Sequence, residues 1–274
     1  MPTVSIILST CGKAPFILGA IKSVIEQTFK DWELLIISDP PIEESVKKII
    51  GNDIQKDLRI KYFENKVKLG FRKCLNQGLR KARGRYIARI DDDDIWDSQK
   101  LEKQVNFLDS HKNYVLVGSG AIFIDEKGKE LYRFLPPEKD EDIRQRILFR
   151  NPFVHSSVLF LAKMAEKFGG YDDKLSENED FDLWLKLGTI GKFYNLPEYL
   201  VQFRTPSLKD NIAKIRRART KGFISIIHRY SKNYPHYKKA LLKNYLKLFY
   251  TYIPKPKILE DYLYEKRQTS DWRF

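Results

Sequence analysis

Four short runs in the N-terminal part of the chain are apolar on both alternating faces: "TVSIIL" (3–8), "WELLIIS" (32–38), "RIKYFE" (59–64) and "RYIARI" (85–90). Helical patterns separate them. "PFILGAIKSVIEQTF" (15–29) places Ile17, Leu18, Ile21, Val24, Ile25 and Thr28 at helical spacing, and "FRKCLNQGLRKA" (71–82) reads as a helix stopped by Gly84. Between the second and third runs, "DPP" (39–41) reads as a breaker before a polar helix through Lys47. Strands with no polar face must be covered on both sides. Alternation with helices then predicts right-handed βαβ units and a mainly parallel, Rossmann-like α/β sheet flanked by helices. Ligands of such sheets bind beyond the carboxyl ends of the strands. Three polar clusters fall there: "STCGK" (9–13), Asp39 and Asp91–Asp94.

The rest of the chain changes character twice. From 114 to 161, "YVLVGSGAIFID", "GKELYRF" and "SSVLFL" predict short mixed strands around a helix near "DIRQRILF". "GGYDDKLSENEDFDLWLKLG" (169–188) predicts a loop running into a helix, with strand-like sequence on to Arg204. Beyond Pro206 the pattern is helical, basic and rich in Tyr and Phe. With 274 residues, 42% of them apolar, the chain can bury a sizeable core, which excludes global disorder. Two cysteines, Cys11 and Cys74, are too few for a disulfide scaffold or a structural zinc site and read as packing residues. No run of 18 apolar residues occurs. "MPTVSIILSTCGK" passes from Met into a strand without the basic start of a signal peptide, so a reducing, cytoplasmic setting is expected. Of the net charge of +14, residues 206–274 carry 17 Lys+Arg against 5 Asp+Glu, so the body (33 against 31) is nearly neutral. The excess belongs to the C-terminal region and points to an anionic partner there.

"RIDDDDIWD" (89–97) concentrates four adjacent carboxylates at the end of the fourth run. Capping of the following helix accounts for one or two acids, Asp97 above all, but not for the whole run. An EF-hand counted from Asp91 finds Glu102 at position 12. It fails at position 6, where Trp96 stands in place of Gly. What remains is a hard divalent cation, Mg²⁺ or Mn²⁺, which takes oxygen ligands and bridges carboxylates to a diphosphate. In an extended chain Asp91 and Asp93 share one side and Asp92 takes the other. "STCGKAP" is neither G-x-G-x-x-G nor a P-loop, so no glycine-rich cradle competes for the phosphates.

Four stretches together resemble the family-2 glycosyltransferases of GT-A fold: 4–39, 69–96, "NPFVHSSVLF" (151–160) and "GGYDDKLSENEDFDLWLKL" (169–187). The resemblance implies a GT-A domain over 1–205, with a nucleotide-binding half of about 1–97 and an acceptor half of about 98–205. A basic helical extension over 206–274 follows. It implies an inverting, metal-dependent transferase taking a sugar from a nucleoside-diphosphate sugar, with a UDP-sugar as first expectation. The acceptor would be a saccharide or lipid-linked hydroxyl in polysaccharide or glycolipid synthesis. Carried over, Asp93 is the metal ligand, Asp91 or Asp92 lies near the ribose, Asp39 meets the base, and Ser9 and Thr10 line the base pocket. Asp180 is the general base, beside Glu179. Two departures stand out. Ser38-Asp39 is followed by "PPIEES" rather than a Gly-Ser turn, and Thr205 stands where many relatives carry a His.

Ordinary readings compete at each position. "SENEDFDLW" is also a normal acidic first turn with Ser176 or Asn178 as cap. His155 is an expected diphosphate or acceptor contact, against a structural role. Lys73 and Arg89 are expected phosphate partners, against solvated or paired side chains. In the tail, Leu241, Leu242, Tyr245, Leu248, Phe249 and Tyr252 form a stripe opposite lysines. That pattern suits either an anionic membrane, which would place the protein peripherally at the inner face, or packing on the catalytic domain. A nucleotidyltransferase, or a non-catalytic nucleic-acid binder using the basic tail, are the rival functions. The absent glycine-rich loop and absent recognition motif speak against them, and no nucleic-acid partner is expected.

Overall fold

The computed structural model describes residues 1–12, 15–49, 51, 57–205 and 212–253. Its strands are β1 (Val4–Gly12), β2 (Trp32–Ile42), β3 (Ile60–Glu64), β4 (Tyr86–Asp91), β5 (Ile95–Trp96), β6 (Tyr114–Ile124), β7 (Glu130–Phe134), β8 (Leu159–Leu161) and β9 (Lys192–Arg204). Its helices are α1 (Ile17–Ile25), α2 (Glu44–Ile49), α3 (Phe71–Lys81), α4 (Lys100–Ser110), α5 (Asp140–Ile147), α6 (Ala162–Lys167), α7 (Glu179–Gly188), α8 (Ile212–Arg229) and α9 (Tyr237–Tyr250). The strands form one sheet in the order β3-β2-β1-β4-β8-β6-β9-β5, with β7 on β6. β1, β2, β3 and β4 run parallel, as the uninterrupted apolar runs require, and β6 pairs in parallel with β9 over its length. The short β5, β7 and β8 supply the antiparallel pairs.

Neighbouring side chains of one strand enter opposite cores. Val4, Ile6 and Leu8 pack under α1 and α4 with Ile21, Val24, Leu101 and Val105. Ile7 packs on the other face with Leu75 of α3, Phe181 and Trp184 of α7, and Ile226, Ile227 and Tyr230. The C-terminal region is thereby split. α8 and the start of α9 are built into the second core, with Phe223 stacked on Phe181 at 4.2 Å and Tyr234 Oη donating to the Leu185 carbonyl. The outer face of α9 is bare, with Leu242 63% and Phe249 68% exposed. The parts of the basic extension at 206–211 and 254–274 lie outside the described residues.

Three sequence expectations need correction. β1 runs to Gly12 and β2 to Ile42, so Ser9, Thr10 and Asp39 are strand residues rather than loop residues. The prolines at 40 and 41 do not end β2. They sit at an irregularity where the register jumps from Cys11↔Asp39 to Gly12↔Ile42, a place in a sheet that tolerates proline. Cys11 is exposed, and only Cys74 packs in the interior. The two-residue β5 and the short α6 went unread because neither is long enough to show a period.

Candidate active site

The parallel register sets Ser9 beside Asp91 and Cys11 beside Asp39, so the three polar clusters meet at one sheet edge. Thr10 Oγ1 donates to Asp92 Oδ2 at 2.6 Å. Asp39 is 2% exposed and its carboxylate is saturated from within the chain. Asn65 Nδ2 donates at 3.0 Å, the Leu69 amide at 3.1 Å and the Gly70 amide at 2.6 Å. Burial raises the Asp39 pKa, but the donors outweigh it and hold the carboxyl below its ordinary value. Asp39 therefore shapes the loop that delivers α3, whose preceding residue is Gly70 at φ 88°. That φ suits a residue without Cβ.

The acidic run turns after Asp91 instead of continuing extended, and this decides where each carboxylate goes. Asp92 leaves toward Thr10. Asp91, Asp93 and Asp94 bring carboxylate oxygens to one spot, all within 4.8 Å of one another. Alternation alone assigns Asp94 to the Asp92 side; the turn brings it to the other. Asp97 does ordinary end-of-loop work, its Oδ1 accepting from the Gln99 amide just before α4.

Each member of the cluster is tied differently. Asp91 forms a two-pronged ion pair with Arg89, and its amide donates to Ser156 Oγ at 3.1 Å. Asp94 is fully buried. Its Oδ1 accepts from the Arg204 amide at 2.8 Å, while Oδ2 is buried without a partner. Burial pushes the Asp94 carboxyl up to about 7, and the charge of Asp93 adds to this. Arg204 Nε donates to the Asp93 carbonyl at 3.0 Å and not to its carboxylate. Burial raises Asp93 and Asp92 as well. Three crowded carboxylates, one of them fully buried, fit a hard divalent cation, and Asp91, Asp93 and Asp94 are the residues that would hold it.

Across the crevice stands α7. Glu179 and Asp180 occupy its first turn, behind Asn178, which takes the left-handed conformation at φ 62°. Asn178 makes no capping bond to the helix. Its Nδ2 donates to the Arg219 carbonyl of α8 at 2.9 Å. Asp180 Oδ2 accepts from Asn151 Nδ2 at 2.8 Å. Burial raises the Asp180 pKa to about 6, the Glu179 charge adds to the rise, and Arg89 opposes it. Glu179 faces Arg72 at 3.8 Å, and Arg72 also donates to the Ser176 carbonyl at 3.1 Å.

Arg89 is buried between the two acidic sets, 2% exposed, and also donates to Ser156 Oγ at 3.2 Å. It is a counter-ion beneath the site. His155 sits in an aromatic wall with Phe71, Tyr171 and Trp184, its Nε2 3.0 Å from Tyr171 Oη, and burial holds its ring neutral. Lys73 is exposed on α3 and engages none of these residues. Arg72, Asn151, Ser156 and Arg204 escaped the sequence reading. Asn151 and Ser156 lie inside "NPFVHSSVLF", and Arg72 adjoins Lys73, so both neighbourhoods were marked.

A mostly parallel sheet flanked by helices, with carboxylates gathered at its strand ends and α7 across the crevice, is the architecture of the GT-A glycosyltransferases. The family profile described as Glycosyl transferase family 2 matches residues 5–167, and the chain belongs to that family. It is 30% identical over 228 residues to an uncharacterized glycosyltransferase of Methanocaldococcus jannaschii, covering 82% of this chain and 78% of that one. It is 34% identical over 188 residues to AmsE of Erwinia amylovora, named as an amylovoran biosynthesis glycosyltransferase, covering 68% of this chain and 70% of that one. Among solved structures, residues 1–349 of TarS from S. aureus superpose with a TM-score of 0.69 at 14% identity, covering 98% of this chain and 80% of that one. The chain spans 44% of the longer TarS structure. The same TarS fragment has been solved with UDP and with UDP-GlcNAc. The mannosyltransferase PcManGT from Pyrobaculum calidifontis, solved with GDP-Man and Mn²⁺, superposes with a TM-score of 0.64 at 14% identity, covering 97% of this chain and 79% of that one. No helix among the described residues is long and apolar enough to cross a membrane.

Proposed function

We propose that the chain is an inverting, divalent-cation-dependent transferase that moves a sugar from a nucleoside-diphosphate sugar, a UDP-sugar first, to an acceptor hydroxyl. The single observation that carries this reading is the placement of two acid sets of different character around one buried guanidinium, Arg89.

In this reading Ser9, Thr10 and the Asp39 loop line the base, and of the two acids Asp91 and Asp92 it is Asp92, beside Thr10, that lies near the ribose. Asp93, with Asp91 and Asp94, would hold Mn²⁺ or Mg²⁺. When bound, such a cation supplies positive charge against the departing diphosphate. Asp180 takes the acceptor proton as the acceptor oxygen bonds to the anomeric carbon, and the carbon–oxygen bond to the diphosphate breaks with its electrons leaving on that group. A single base opposite the leaving group makes the transfer inverting. Its service is worth ~10²–10⁴ in rate. His155 and Glu179 stand on the acceptor side. Donor elements come from about 1–97 and acceptor elements from about 98–205.

The pathway proposed is polysaccharide or glycolipid assembly, supported by the likeness to AmsE. The lysines flanking the exposed apolar face of α9 (Lys239, Lys243 and Lys247 beside Leu242 and Leu246) support a cytoplasmic protein that lies peripherally on an anionic membrane, where a lipid-linked acceptor is presented. The donor is tested by thermal stability with UDP-, GDP- and dTDP-sugars, with and without Mn²⁺. Stabilisation by one nucleotide only when the metal is present is the expected result, and equal shifts without metal would refute the cation's part.

A further inference from the structure

Asn151 lies in the link between α5 and the turn at His155–Ser157, and its amide is fixed at both ends. Its Oδ1 accepts from the Phe153 amide at 3.1 Å, and its Nδ2 donates to Asp180 Oδ2 at 2.8 Å. The Phe153 N–H requires an oxygen opposite it, which fixes the orientation of the amide. The nitrogen must therefore face Asp180, and it can only donate.

The mount is rigid. Asn195 of β9 donates to the Pro137 carbonyl at 2.8 Å and to the Pro152 carbonyl at 3.4 Å. Phe153 packs against Phe193 at 5.4 Å and Trp184 at 6.4 Å. The bond thus joins two elements that are each held independently of it.

We propose that Asn151 is the positioning residue of the sugar-transfer reaction: it reserves Oδ2 of Asp180 as a hydrogen-bond acceptor and leaves Oδ1 to receive the acceptor proton. The inference rests on Asp180 being the base. A fixed donor at one oxygen orients the carboxylate plane. It also favours the charged form, which a base must start from. The other groups facing Asp180 do not replace this bond. The Phe181 amide also donates to the carboxylate but belongs to the same helix and cannot orient it from outside; Glu179 repels it, Arg89 attracts it from below without a hydrogen bond, and Tyr171 and the neutral His155 form the neighbouring wall. Arg72 is turned to Glu179 and Ser176.

The test is the pH profile of the full chain carrying Asn151→Ala or Asn151→Asp, beside Asp180→Asn. Loss of the donor should lower kcat by about 10-fold or more. KM for the donor sugar should stay as it is. The acid limb of kcat/KM should move to higher pH, further for Asn151→Asp, which sets a carboxylate against Asp180 while keeping an acceptor for Phe153. A merely structural role would lower thermal stability and leave the limb in place. If Asp180→Asn is inactive while both Asn151 variants keep the parental limb and kcat within about twofold, the inference is overturned and the base assignment stands. If Asp180→Asn turns over, the base assignment falls, and this inference with it.

Discussion

Two acidic stretches of the same chain, 91–94 and 179–182, have nearly the same density of charge and opposite uses of it. In the first, a turn at a strand end gathers three carboxylates within 4.8 Å, with Arg89 and Arg204 bound at its edges. In the second, helical geometry spreads the acids over different faces, and each finds its own partner. Glu179 meets Arg72, Asp180 meets Asn151, and the fully buried Asp182 is bound by Arg229 at 2.8 Å, Tyr230 Oη at 3.1 Å and Lys186 at 2.9 Å. Crowded oxygens short of cations call for a metal ion. A carboxylate set apart from other acids but one, with only neutral donors (the Phe181 amide and Asn151), suits the proposed proton-taking role instead. Backbone conformation, more than residue type, separates the two arrangements.

The largest expected effect is on the proton-taking side. Asp180→Asn should cut kcat by ~10²–10⁴ while donor binding persists, because the amide keeps the shape and loses the basicity. A turnover assay beside a binding isotherm checks this, and a variant that turns over normally would break the contrast. The pH dependence has a definite sign. As the proposed base Asp180 would act as its anion, and burial raises its pKa to about 6, so kcat/KM should fall as pH drops through that value and level off above it. An acid limb near pH 4 would show a solvated carboxylate instead.

A smaller effect tests the third acid of the helical set. Arg229→Met removes one of three partners of Asp182 and should cost about 1–3 kcal/mol in denaturant unfolding, toward the lower end because Arg229 is half exposed. No change would mean that α8 is not tied to α7 by charge. The smallest stability effect belongs to the outer face of α9. Leu246→Ser with Phe249→Ser should alter unfolding by no more than about 0.5 kcal/mol. The same pair should weaken co-sedimentation with vesicles of an anionic phospholipid, and undiminished sedimentation would count against a membrane role for this face.

Much of the fold was legible because its signals are local. The apolar runs at 3–8, 32–38, 59–64 and 85–90 became β1 to β4, and the helix patterns became α1 and α3. The carboxylate run declared itself for the same reason. The partners did not, since they come from distant parts of the chain. Asn151 lies 29 residues from Asp180, and Arg204 lies 110 residues from Asp94. The tail shows the limit most plainly. α8 and α9 share the same mix of Lys, Arg, Tyr and aliphatic residues, yet Ile226 and Tyr230 enter the second core while Leu242 and Phe249 face outward. Periodicity says that a helix has an apolar face; only tertiary packing says what covers it.

The account turns on the strand-end cluster being a cation site that serves the nucleotide. Calorimetric titration of UDP into the full chain, with and without Mn²⁺, in parent and Asp93→Ala protein, addresses this directly. The prediction is that Mn²⁺ tightens UDP binding in the parent and that Asp93→Ala loses this gain, by at least the ~10–100-fold that removing a supporting contact costs a metal site. Equal UDP affinity with and without Mn²⁺ in the parent, or an undiminished Mn²⁺ effect in Asp93→Ala, would contradict it.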